Sequence, residues 1–97
     1  MRLAVTRSGF YHADIYCVDS RSAKQTLKEQ PVSILAIEFY LTGRENGCDV
    51  LEWAVKQHLL PCFIVVIERD RSKRAVLSEK LFSAGYQSAD NTTFVKI

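Results

Sequence analysis

The sequence predicts an α/β domain: a three-layer sandwich on a mainly parallel five-stranded sheet, mixed at its edges, with about three helices. Val32–Tyr40 and Cys62–Ile67 are nearly continuous apolar runs, the signature of strands covered on both faces. The segments between and after them repeat apolar residues at helical spacing. A length of 97 residues is close to the commonest domain size, so 1–97 reads as one domain.

Leu3-Ala4-Val5 suits a first strand, and Ala13–Val18 is a second, rich in residues that fit a pleated surface. Asp19 and Ser20 offer an N-cap to a helix over Arg21–Gln30, with Ala23 and Leu27 inward and Pro31 ending it. Val32–Tyr40 is the third strand. A polar loop with two glycines, Thr42–Gly47, leads to a helix over Asp49–Leu59, where Val50, Leu51, Ala54, Val55 and His58 share a stripe. Pro61 opens the strand Cys62–Ile67. Asp70 caps a helix running to about Ala84, and Gly85 suits the position just past its end. The chain finishes with a turn at Asp90-Asn91 and a strand over Thr92–Ile97, against which Tyr86–Ser88 could pair as a hairpin. Only Arg7–His12 separates the first two strands. A parallel crossover normally needs about a dozen residues, so an antiparallel hairpin is expected there.

A net charge of +2 is too small to imply a nucleic-acid partner. The longest apolar run, Cys62–Ile67, falls far short of the roughly 20 residues of a membrane span. The amino terminus lacks the apolar core of a secretory signal, and a cytoplasmic location without a membrane partner is expected. Cys17, Cys48 and Cys62 lack CxxC spacing and sit beside apolar residues, as small packed hydrophobes do. His58 and Cys62 are separated by a proline, so no metal site is expected. Gly43 and Gly47 lack the lysine and hydroxyl residue of a phosphate loop, and neither histidine has a nucleophile close in sequence. No cofactor follows from any of these patterns.

Three stretches, in order, resemble a receiver domain of the short type called the cyclic-phosphate processing receiver-like domain. These are Cys17-Val18-Asp19-Ser20-Arg21-Ser22-Ala23, then Ile37-Glu38-Phe39-Tyr40-Leu41 with Gly47-Cys48-Asp49-Val50-Leu51 and Trp53, and last Leu81-Phe82-Ser83-Ala84-Gly85-Tyr86. The resemblance covers most of the chain. It implies a truncated receiver or flavodoxin-like frame lacking the helix between the first two strands. The polar residues depart from the family's pattern. Thr6, Arg7 and Ser8 stand where its first strand ends in acids. Glu38 stands at the phosphoacceptor position, followed by Phe39 and Tyr40 in place of a histidine and a second aspartate. Ile67-Glu68-Arg69-Asp70 replaces a histidine-serine-x-asparagine pattern. A Mg²⁺ site for phosphoryl transfer needs convergent oxygens, and only Glu38 and Glu68 remain, with Arg7 among them.

Two functions follow. The first is a non-catalytic pseudo-receiver, a small module acting through a protein partner or by self-association as a dimer, with Glu38 as a fixed negative charge that mimics a phosphorylated state. The second is an enzyme acting on a phosphate ester or cyclic phosphate with Glu38, Glu68 and Arg7. Both place the candidate ligand pocket at the carboxyl ends of the strands, with Arg7, Glu38, Tyr40, Glu68 and Asp70. The alternative to a ligand role for Arg7, Glu38 and Glu68 is an ion pair at the sheet's edge. Tyr40 is either a rim aromatic or a partner contact, His12 is solvated, and His58 packs or caps its helix end. The run Glu68-Arg69-Asp70-Arg71-Ser72-Lys73-Arg74 holds four basic residues, but two acids interleave and no matching basic stripe exists, so a solvated helix start is expected.

Overall fold

A computed structural model describes residues 1–9 and 11–96. Six strands form one mixed sheet: β1 (Arg2–Val5), β2 (Ile15–Cys17), β3 (Ile34–Ile37), β4 (Phe63–Val66), β5 (Tyr86–Ser88) and β6 (Thr93–Lys96). Three helices join them: α1 (Ser20–Glu29), α2 (Gly47–Lys56) and α3 (Arg71–Ser83). The order is β2-β1-β3-β4-β6-β5, parallel from β2 to β4 and antiparallel at β4–β6 and β6–β5. The α/β class and the carboxyl-terminal hairpin are as the sequence predicts. The expected count of five strands becomes six, because Tyr86–Ser88 does pair with β6. Of the terminal strand predicted over Thr92–Ile97, Ile97 lies outside the described residues.

The antiparallel hairpin expected at the amino terminus is overturned. β1 and β2 run parallel, with Leu3 beside Ile15, Ala4 beside Tyr16 and Val5 beside Cys17. The two share only three register positions, so the chain returns across about 7 Å and needs no helix to do so. The return is fixed at its far end, where Arg2 and Asp14 exchange bonds: Arg2 N–H donates to Asp14 Oδ2 (2.8 Å) and Asp14 N–H to the Arg2 carbonyl (3.0 Å).

Among the described residues the expected third layer is also absent. In the ladder, Leu3, Leu35, Ile64 and Phe94 lie in one row, and Cys17, Val5, Ile37 and Val66 in the next row of the same face. Each helix touches that face: Thr26 of α1 meets Cys17, Gly47 of α2 lies against Ile37, and Phe82 of α3 stacks edge-on with Phe94 at 5.4 Å. The three helices therefore form one layer, α2 in the middle, and the core lies between it and the sheet. Right-handed crossovers explain this, since every helical connection moves across the sheet in the same direction. On the opposite face Ala4 and Ala36 are buried, while Tyr16, Val18 and Phe63 remain 46–48% exposed.

Helix ends follow local chemistry. Asp19 caps α1 by accepting from Ser22 N–H. Asn46 and Asp49 form a reciprocal capping box, so α2 begins at Gly47, two residues before the predicted start. It ends at Lys56 rather than Leu59, and His58 adopts a left-handed conformation (φ 56°) that turns it out to solvent. Leu59 N–H then donates back to the Ala54 carbonyl (2.9 Å), which closes the helix end as a cap. Asp70 caps α3, and Gly85 (φ 93°) follows its end, both as predicted. Of the three cysteines, Cys17 and Cys48 pack inside, whereas Cys62 is exposed.

Two positions in this frame give measurable consequences. A Cβ at Gly47 would lie 2.2 Å from the Glu38 carbonyl oxygen, so Gly47→Ala must displace backbone. Gly47→Ala should lower stability by about 1–3 kcal/mol, read as a fall in the urea midpoint at constant slope; an unchanged midpoint would contradict the close approach. Tyr86 donates its hydroxyl to the Pro61 carbonyl (2.6 Å), and burial pushes its phenol up to about 12. The neutral phenol is the form the fold favours. Its contribution is therefore complete below the ordinary tyrosine range near pH 10 and is lost as pH rises towards about 12. The stability difference between wild type and Tyr86→Phe should shrink across that window in paired denaturation series.

Candidate functional site

At the carboxyl ends of the parallel strands the regular ladder stops, and the chain supplies its next rungs from side chains. Glu38 N–H still donates to the Val5 carbonyl (3.1 Å), and Ile67 N–H to the Ile37 carbonyl (2.9 Å). The following rungs would be Arg7 N–H and Phe39 N–H donating to backbone carbonyls of the neighbouring strand. Instead Arg7 N–H donates to Glu38 Oε1 (2.5 Å), and Phe39 N–H to Glu68 Oε1 (2.8 Å). Glu68 Oε2 also accepts Asp70 N–H (3.0 Å). The Glu38 carbonyl lies against Gly47, which explains why its side chain, and not its backbone, meets Arg7.

The five residues expected to form one pocket are therefore divided. Glu38 and Glu68 come together, with Ser8, Tyr11, Ile67 and Arg69, around an open cleft of about 340 Å³. Arg7, Tyr40 and Asp70 do not line it. The ion pair expected of Arg7 is replaced by a bond from its backbone, and its exposed guanidinium pairs with no carboxylate among the described residues. Asp70 is a helix cap: the Ser72 hydroxyl (2.8 Å), then Lys73 N–H and Ser72 N–H, hold its carboxyl below the usual aspartate range. Tyr40 is 42% exposed and stands edge-on to the Phe39 ring at 5.1 Å.

Phe39 is the organising residue at the strand tip. Its ring packs on the core, and Lys73 of α3 lies over it at 4.8 Å. The two positions after Glu38 thus carry an aromatic contact between β3 and α3. The loop after them is tied down separately: Glu45 accepts from the buried Ser20 hydroxyl (2.6 Å) and from Lys24 (2.9 Å), which hold its carboxyl below the usual range. Among the described residues, His, Cys, Asp and Glu side chains do not gather in threes at metal-binding distance.

Sequence reasoning missed Ser8, Tyr11, Arg69 and Lys73. Ser8 and Tyr11 enter because the β1–β2 connection returns in parallel, over the strand ends. Lys73 carries a readable signal, since it stands three residues beyond the Asp70 cap and so in the first turn of α3.

The two glutamates differ in what they hold, and mutation should separate them. Glu68→Ala frees two amides, Phe39 and Asp70, and should cost about 1–2 kcal/mol. Glu68→Gln keeps one acceptor oxygen and should cost less than half of that in the same urea titration. Equal costs would mean that the carboxylate does not hold both amides.

Compared with known proteins, the chain matches no family model, no curated protein and no solved structure.

Proposed function

We propose that this chain is a non-catalytic, receiver-like binding module that acts through protein contacts, with a second copy of itself as the first partner to test. One observation carries the reading: both carboxylates at the strand ends accept backbone amides. Glu38 accepts Arg7, and Glu68 accepts Phe39 and Asp70. A metal-dependent phosphoryl-transfer site would need those oxygens free and convergent. The frame supports the family part of the reading. The order β2-β1-β3-β4 is that of the first four strands of the doubly wound receiver and flavodoxin arrangement, and Glu38 and Glu68 both follow strands at its crevice. Phe39 and Tyr40 take up the positions after Glu38 with an aromatic pair. Glu38 then serves as a permanent charge where a receiver acquires one.

Self-association has a suitable surface. The sheet face away from the helices exposes Tyr16, Val18 and Phe63, with half-buried Ile34, Val65 and Val95 in the same rows. These side chains carry no charge, exposed Arg2 lies beside Ile34 in the same row, and two copies would meet on this face in the isologous manner of a two-fold dimer.

Light scattering should give twice the chain mass of 11.0 kDa, and Phe63→Ser should return the monomer mass. A monomer at every concentration would overturn self-association. Mg²⁺ with beryllofluoride should leave Tm within about 1 °C, because both carboxyl groups are already engaged by backbone amides. A rise of several degrees that disappears in Glu38→Ala would overturn the non-catalytic reading and favour an enzyme acting on phosphate esters or cyclic phosphates.

A further inference from the structure

α1 carries its charges unevenly. Arg21, Lys24 and Lys28 stand against a single acid, Glu29. Spacings of three and four residues place the three cations on one side of the helix. That side borders α2, which packs next to α1, and an open cleft of about 380 Å³ runs between them, lined by Arg21, Lys24, Gln25, Lys28, Glu29 and Trp53. Trp53 is the sole tryptophan of the chain; it is half-buried and packs on the core.

The acids on this side are already engaged. Glu29 accepts from Gln25 Nε2 (3.0 Å), and Glu45 accepts from the Ser20 hydroxyl (2.6 Å) and from Lys24 (2.9 Å). Lys24, so paired, lies over the Trp53 ring at 5.9 Å. Arg21 and Lys28 are exposed, and the side chain of neither makes a hydrogen bond or an ion pair among the described residues. Arg21 stands in the first turn of α1, where no acid offsets it against the helix dipole, so a carboxylate beside it is favoured. Two helical turns separate Arg21 from Lys28, about 10 Å along the axis. One small anion cannot bridge that distance, whereas a second helix with carboxylates two turns apart can. A nucleic acid would need a longer cationic track, and the net charge of the chain is only +2.

We propose that the α1–α2 groove docks an acidic amphipathic helix of another protein, with one carboxylate on Arg21, a second on Lys28 and an apolar side chain between them against Trp53. Tryptophan and arginine are prominent among the residues that dominate protein interfaces, and here they share one cleft. Exposed ion pairs add little affinity by themselves, so the contact with Trp53 supplies most of it and the two cations set register and partner choice. The groove lies in the helix layer, on the side of the sheet opposite Tyr16, Val18 and Phe63, and it stands whether or not the chain self-associates.

The test is a displayed library of alanine-framework helical peptides, randomised on one face and free of tryptophan. It is panned on the wild-type protein after depletion on the Arg21→Gln/Lys28→Gln double variant, which removes peptides that bind elsewhere. Both replaced side chains are exposed and unbonded, so the double variant should keep the wild-type urea midpoint. Enrichment of acids seven residues apart, with a large apolar residue between them, is expected. The enriched peptide should shift the Trp53 emission saturably. Arg21→Gln and Lys28→Gln should each weaken it about fivefold or more, whereas Arg71→Gln, with the same charge change on α3, should change it less than about twofold. Failure to enrich acids at that spacing, or an equal loss in Arg71→Gln, would overturn the proposal. Tighter binding of a single-stranded oligothymidylate than of the peptide, read by the same emission, would make nucleic acid the occupant and overturn it as well.

Discussion

Two carboxylates that complete a β-ladder hold the working end of this molecule together. Where β1, β3 and β4 end, the next backbone amides no longer donate to their neighbours' carbonyls. Glu38 and Glu68 reach back and accept them, so that three strand ends are linked in series: Arg7 to Glu38, then Phe39 to Glu68. A carboxylate that accepts amides is a stronger acceptor than a carbonyl, which suits a position where geometry is set by a flexible arm. The same bonds set where the two carboxyl groups stand on the rim of their shared cleft.

The remaining features of this end depend on those links. With its amide held by Glu68, Phe39 directs its ring into the core and under Lys73, and Tyr40 is left at the rim. The Glu38 carbonyl is free to lie on Gly47, which starts α2 with its N–H on the Phe39 carbonyl (2.8 Å). α2 in turn sits between α1 and α3, and its Glu52 pairs with Lys80 of α3. A short series of local contacts therefore connects the strand tips to the whole helix layer. The other face of the sheet has no such layer, and its outward aromatic and aliphatic side chains follow from that one-sidedness.

Much of the frame was legible in the sequence because it is written in local chemistry. The apolar runs marked β3 and β4, Asp19 and Asp70 marked helix starts, and Gly85 and the Asp90-Asn91 turn marked the carboxyl-terminal hairpin. The errors lie where a residue answers to something distant. Phe39 and Tyr40 extended the apolar run of β3, but the Glu68 bond takes Phe39 out of the strand. The direction of β2 depends on the return distance, set by strands only three or four residues long. The two-layer arrangement depends on strand order, which no local pattern encodes. Glu38 and Glu68 were recognisable as a pair of acids at strand ends, but their partners are backbone amides, and an amide looks the same at every position of a sequence. Arg74 was visible only as part of a charged run, because its partial burial on α3 follows from tertiary packing that the run itself does not encode.

The central claim is that carboxylates extend the ladder beyond the strands, and hydrogen exchange of individual amides tests it most directly. Phe39 and Arg7 lie outside the strands, so their amides would exchange quickly if only backbone pairing protected them. The account predicts protection of both amides close to that of Ile37 in β3, and loss of it at Phe39 alone when Glu68 is replaced by alanine. Exchange of Phe39 and Arg7 in the native protein as fast as that of the exposed loop residue Gly43 would contradict it.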